Sequence, residues 1–183
     1  MSNGQLTPSV SGRDHIAGPE DAPVTLVEYG DYECRYCGMA YPIVKRARHA
    51  LGGELRFVFR NFPLGEAHPH ARLAAECAEA AGAQGKFWEM HDTLFEHQDA
   101  LEADDLVGYA EMLDLDVDRF TRELKDGTYT QRVRDDFRSG VKSGVNGTPT
   151  FFINSVRYDG SWANESAFIA ALREAALEQA ARA

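Results

Sequence analysis

The first continuous apolar stretch in the chain is Val24-Thr25-Leu26-Val27-Glu28-Tyr29, a β-branched run broken by a single acid. Such a run predicts a strand buried on both faces, in a sheet flanked by helices. Glu28 is its anomaly. From Cys34 the pattern changes to a helical period, with Tyr36, Ala40, Ile43, Val44, Ala47 and Leu51 on one side and Gly52 and Gly53 ending it. Leu55 to Asn61 predicts a second strand. Strand, helix and strand make a βαβ unit with parallel strands and a right-handed crossover, so the fold class is α/β.

From about His70 to Ser143 nearly every segment reads as helical, with breaks at Gly82, Gly85, Leu101 to Ala103, Leu113 to Asp116, and Gly127. This predicts a helical insertion, over about residues 66–143, of four or five short helices. Thr150 to Ile153 and Val156 to Tyr158 follow as two short strands joined at Asn154 and Ser155, the spacing of a two-residue hairpin. An Ala-rich helix from about Asn164 to Ala181 completes the chain, and no internal repeat is visible. Residues 1–12 are rich in Ser, Gly, Pro, Asn and Thr and read as a flexible tail, leaving residues 13–183 as one domain.

Composition narrows the function. The chain has 183 residues, 44% of them hydrophobic and 26% charged, which excludes a disordered or low-complexity protein. Nineteen Lys and Arg against 29 Asp and Glu give a net charge of −10, which argues against nucleic acid as a partner. No stretch reaches the roughly 18 apolar residues of a membrane span. The first nine residues carry no basic and apolar leader, so the expected compartment is the cytoplasm, or an extracytoplasmic one if a leader has been removed. With no dimerisation segment in view, a monomer is expected.

Three cysteines do not make a paired framework, and two of them are Cys34 and Cys37, placed where the buried strand gives way to the helix. The chemistry explains the spacing. Unpaired N–H groups and the dipole at a helix N-terminus favour a thiolate at the first cysteine, and the second, one turn on, can close a disulfide. Cys34 is then the attacking sulfur and Cys37 the resolving one. Arg35 lowers the thiol pKa while Asp31 and Glu33 oppose it, and sequence does not fix the balance. The rival readings are half of a zinc site, for which no second Cys pair exists, or two inert buried cysteines.

The second signal is Gly147-Thr148-Pro149-Thr150, just before an apolar strand. Alone, a proline there is a turn or edge residue. Occurring with the Cys pair, Thr148–Pro149 is expected to be cis, offering the backbone of Thr148 to a bound peptide.

Taken together, these features resemble the DsbA-type branch of the thioredoxin fold: a thioredoxin core, βαβ then ββα, interrupted by a helical insertion. The resemblance runs from about Val24 to the C-terminus and rests on Cys34-Arg35-Tyr36-Cys37, Thr148-Pro149 and the element order. It implies a thiol-disulfide oxidoreductase that exchanges a Cys34–Cys37 disulfide with protein or peptide thiols, with no bound cofactor, no metal and an unspecified redox partner. It also implies a role for Glu28, six positions before Cys34, as a buried acid beneath the disulfide. A carboxylate buried in a strand is costly and its pKa rises, which suits a proton relay to Cys37. The rival reading is an exposed strand-end glutamate. Pro42 matches the helix-kinking proline of thioredoxins and is read as structural. Two sites, three residues in all, depart from the family: Arg35 and Tyr36 replace the usual Pro-His between the cysteines, and Thr148 replaces the usual Val. Both tune redox potential and substrate release, so strong oxidant activity does not follow.

Weaker candidates remain. Cys77, in an Ala-rich helix, reads as a small buried residue. His68 and His70 flank Pro69 in a loop or helix start, where a metal role is the minor reading; His91 and His97 do not share a helix face. Phe87, Trp88, Leu94 and Phe95 read as core of the insertion, and some of Tyr29, Tyr32, Tyr36 and Tyr41 as an apolar rim for peptides. Rival functions are a redox-sensing or protein-binding module of a larger assembly, such as a transporter or multidomain chain, and a glutathione-dependent transferase, which more often carries a single nucleophile.

Overall fold

The apolar run at residues 24–29 forms a strand, Val24–Gly30, in which every residue but Thr25 is buried. In the computed structural model, which describes residues 4–181, the chain order is β1 (His15–Ala17), β2 (Val24–Gly30), α1 (Arg35–Leu51), β3 (Leu55–Asn61), α2 (Ala71–Gly82), α3 (Phe87–Glu96), α4 (Ala103–Met112), α5 (Val117–Lys125), α6 (Thr130–Lys142), β4 (Thr150–Ile153), β5 (Val156–Arg157) and α7 (Glu165–Ala180). The chain divides into two compact units. One holds the residues up to Gly30, Met39–Arg60 and those from Ser139 onward; the other holds Asp31–Gly38 and Asn61–Arg138.

The first unit is built on a sheet of order β1-β3-β2-β4-β5. β1 runs antiparallel to β3, with Ile16 opposite Val58. β2 runs antiparallel to β4, with Leu26 opposite Ile153, Glu28 opposite Phe151 and Tyr29 opposite Thr150. Asn154 and Ser155 take φ of 47° and 70°, the two positive values that a twist-matched two-residue hairpin requires. The Asn154 side chain also accepts the N–H of Thr25 at 2.8 Å. The α7 helix starts at Asn164, whose side chain accepts the N–H of Ala167, and buries Phe168, Leu172 and Ala176. Phe168 meets Phe151 with ring centroids 5.1 Å apart. The last residue of β2, Gly30, has no room for a side chain, because a Cβ there would overlap the ring of Phe59.

Residues 4–14, most of them read from composition as a flexible tail, carry contacts that composition does not show. Leu6 is buried, Gln5 bridges to Val156, and the N–H of Thr7 donates to Ser143 Oγ at 2.8 Å. Residues 8, 9 and 14 are held by Arg60, buried in β3. Its guanidinium grips Asp14 at 2.7 and 3.1 Å and donates to the carbonyls of Pro8 and Ser9 and to the Tyr29 hydroxyl. A buried charge needs such partners. Burial opposes its charge, but Asp14 and Tyr29 together raise its pKa above the ordinary arginine value.

The second unit contains α2 to α5 and most of α6. Alanines make α2 slim enough to be almost wholly buried, from Ala74 to Ala81 without a break, with α3, α4 and α5 packed on it. Leu94, Leu106, Ala110 and Phe120 fill the space between them. One polar cluster is buried here: Asn61 donates its N–H to Asp136 and its amide to Glu79, and Arg132 pairs with both acids. Burial, with the nearby charge of Glu79, pushes the Asp136 carboxyl up to about 6 against the pull of Arg132.

Candidate active site

Cys34 occupies the residue before α1, and its carbonyl accepts the N–H of Gly38 at 3.0 Å, the first bond of the helix. That is the N-cap position, where the side chain faces the unpaired amides of the first turn. No acid lies in that turn. Cys37 follows one turn later and is 0% exposed, against 4% for Cys34, so both are buried and Cys34 is the less enclosed residue. The two are not joined in a disulfide. Arg35 and Tyr36 point outward, with the guanidinium 5.2 Å from the centre of the Tyr36 ring.

The turn before Cys34 is held by groups distant in sequence. The Asp31 carboxylate accepts the N–H of Glu33 at 2.8 Å, the N–H of Leu64 at 2.8 Å, and lies 2.7 Å from His68 Nδ1. Its backbone carbonyl accepts the N–H of Cys34. Glu33 accepts the N–H of His70 at 2.6 Å and meets His70 Nδ1 at 2.9 Å, while His70 Nε2 reaches Glu102. Tyr32 is clamped twice. Its hydroxyl is 3.1 Å from His91 Nδ1, and its carbonyl accepts the Gln98 amide, which also donates to the carbonyl of Cys34. Gly38 leaves room for that amide, because a Cβ would fall inside contact distance of it.

Two imidazoles there have shifted acidities. Burial pulls the pKa of His68 down, yet the hydrogen bond and charge of Asp31, with help from Cys34 and Glu33, carry it above the ordinary histidine value. The hydrogen bond of His70 to Glu33, with the charge of Glu102, raises His70 as well.

The remaining predicted residues lie in the first unit. Glu28 is 2% exposed, inside β2, and not at an exposed strand end. The Thr148–Pro149 bond is cis. Because Thr150 pairs with Tyr29, these two residues lie beyond the Gly30 end of β2, and Thr150 Oγ1 closes the bend onto the Gly147 carbonyl at 2.7 Å.

The expectation of an apolar tyrosine rim changes, while that of a buried Cys77 stands. Tyr29 and Tyr32 are buried, their hydroxyls bonded to Ser139 and His91, so they form no apolar rim; Tyr36 is 53% exposed, and Tyr41 is half-buried with its hydroxyl accepting from Lys45. Cys77 is buried in α2, and burial, then the charge of Glu76, drives its thiol far above the ordinary range. Histidines 68 and 70 each face a carboxylate, and among the described residues no group of three or more His, Cys, Asp or Glu could hold a metal ion. Gln98 and the Asp31–His68 pair were missed from sequence. The one signal was that Asp31 and Glu33, two apart, stand just before the Cys pair, while His68 and His70 flank a proline at the same spacing.

Comparison with known proteins places this geometry. A family model described as Thioredoxin matches residues 10–171. Curated relatives include Na(+)/H(+) antiporter NhaA 1 of Salinispora arenicola, 50% identical over 170 residues, which is 93% of this chain and 26% of that protein. Na(+)/H(+) antiporter NhaA of Herminiimonas arsenicoxydans is 47% identical over 149 residues, 81% of this chain and 24% of that protein. The chain thus spans about a quarter of the length of these relatives. Among the described residues no helix is long and apolar enough to cross a membrane. Among solved structures, oxidised BdbD from Bacillus subtilis superposes with a TM-score of 0.83 at 25% identity, covering 96% of this chain and 97% of that one. A thioredoxin-like oxidoreductase from Silicibacter pomeroyi gives 0.77 at 27% identity, covering 94% and 95%. Alpha-DsbA1 from Wolbachia pipientis gives 0.81 at 19% identity over 94% and 96%, which bears on the fold alone. The DsbA-like arrangement implied by the Cys pair and the helical insertion is the fold of this chain.

Proposed function

Because the chain belongs to the thioredoxin family, we propose that it is a thiol-disulfide oxidoreductase exchanging a Cys34–Cys37 disulfide with protein or peptide thiols. The observation that carries this reading is the placement of Cys34 at the N-cap of α1 with Cys37 one turn on. The BdbD and Silicibacter pomeroyi matches support it.

In the oxidising direction a substrate thiolate attacks Cys34 Sγ, forming a mixed disulfide and releasing Cys37 as a thiolate. A second substrate thiolate then attacks the substrate sulfur of that bond, closing the substrate disulfide and releasing Cys34 as a thiolate; the protein has gained two electrons. Reduction runs the same steps backward, from Cys34 attacking a substrate disulfide to Cys37 resolving the mixed one. No cofactor enters, because the electrons pass between sulfurs. The helix N-terminus favours the thiolate that leaves or attacks at Cys34. On the family resemblance, Glu28 relays a proton to Cys37, the backbone of Thr148 before the cis Pro149 pairs with the substrate backbone, and Arg35 and Tyr36 set the potential.

The test is trapping. Cys37→Ala, mixed with a protein disulfide substrate, accumulates a covalent complex that thiol reductant dissolves, and Cys34→Ala does not. Absence of the complex with Cys37→Ala overturns the assignment of Cys34.

A second reading has its own support. The curated relatives are named antiporters about four times as long as this chain, so the same pair can serve as a redox-sensing module of a larger transport protein. Slow exchange with every substrate despite an ordinary thiol pKa favours that reading.

A further inference from the structure

The loop between β3 and α2 brings His68 to the turn that carries Cys34, and the exchange steps above make no use of it. Its Nδ1 lies 2.7 Å from Asp31 Oδ2, with the Asp31 side chain wholly buried and that of His68 23% exposed. The same carboxylate accepts the N–H groups of Glu33 and Leu64, and the Asp31 carbonyl accepts the N–H of Cys34 at 3.1 Å. One residue therefore ties the imidazole to the backbone that holds the sulfur. The cation within the motif, Arg35, lies over the exposed ring of Tyr36.

We propose, building on the reading of Cys34 as the attacking sulfur, that His68 is a positioning residue for it: Asp31 holds the imidazolium beside the Cys34 turn, where its charge favours the thiolate. The groups acting on His68 are Asp31, Cys34 and Glu33, and His70, two residues on, is turned to Glu33 and Glu102. Burial lowers the pKa of His68, but the hydrogen bond and charge of Asp31, with smaller help from Cys34 and Glu33, raise it overall, so the cation persists above the ordinary histidine value and is lost as pH rises further. Coupling between two titrating groups is reciprocal. A Cys34 thiolate that favours the imidazolium is favoured by it to the same extent.

The test uses the full chain in the dithiol form with Cys77→Ser. Iodoacetamide alkylation of Cys34, followed by mass spectrometry across about pH 4 to 9, is compared with His68→Gln. At neutral pH the variant should react roughly threefold to tenfold more slowly and lose the inflection that His68 contributes. In parallel, the His68 ring is titrated by NMR with and without Cys34→Ser, and its midpoint should fall when the thiolate is removed. Superimposable alkylation profiles, with near-UV circular dichroism unchanged, overturn the proposal. So does an identical His68 midpoint with and without Cys34→Ser, and that arm decides alone if His68→Gln does not fold. Neither readout needs a disulfide partner. A protein that never exchanges disulfides would refute the proposed function and leave this comparison standing.

Discussion

The side-chain amide of Gln98 donates to the carbonyl of Tyr32 at 2.7 Å and to that of Cys34 at 3.0 Å, holding both sides of Glu33 with one group. Helix α3 ends at Glu96, so a residue just past its C-terminus fixes the turn from which the thiol projects. Gly38 keeps that position open.

Gln98→Ala should therefore cost about 1 to 3 kcal/mol, because two backbone carbonyls lose a donor in a partly buried setting. Gly38→Ala should act in the same direction by displacing the amide. Urea unfolding of both variants checks this, and the alkylation rate of Cys34 should change with them. Unaltered stability in Gln98→Ala would show that the two bonds do not order the turn.

The buried cluster around Asp136 makes stability depend on pH. Its folded pKa is pushed up to about 6, chiefly by burial, so the folded state holds a proton that the unfolded chain has released. The contribution is present below the ordinary aspartate range and is lost as pH rises through about 4 to 6. The wild type should lose on the order of 2 to 3 kcal/mol over that window relative to Asp136→Asn, read by urea unfolding at each pH. Parallel curves for the two proteins would contradict it.

Cys77 should be silent in the native state. Its side chain is wholly buried in α2 and its thiol is held well above the ordinary range, so thiolate and access are both lacking. Iodoacetamide should label Cys34 in the folded dithiol protein and reach Cys77 only in denaturant. Labelling of Cys77 at a rate comparable with Cys34 would give it a surface role.

Much of the fold was legible in the sequence because its signals are local. The run at Val24 to Tyr29, the helical period from Tyr36 to Leu51 and the Asn154-Ser155 turn each announce themselves within a few residues. The breaks at Gly82, Leu113 to Asp116 and Gly127 likewise fall at the ends of α2, α4 and α5. The strand β1 was not legible, since three residues, His15 to Ala17, carry no periodicity, and the segment before it owes its contacts to Arg60, Ser143 and Val156, all far along the chain. The Cys pair was visible from its spacing. Its supports were not: Asp31 looked like a charge opposing the thiolate, whereas its carboxylate is engaged by Leu64, Glu33 and His68. Polar pairs across 30 or more residues leave no pattern in a single sequence.

The central claim is that Cys34 and Cys37 form a reversible redox pair. Its most direct test is the equilibrium of that pair across a glutathione redox series, read by thiol trapping with Cys77→Ser. The account predicts a single two-electron transition with a defined midpoint. A midpoint near about −270 mV marks a reductant like thioredoxin, and one near about −120 mV an oxidant like DsbA. Failure to form any intrachain disulfide at any poise would contradict it.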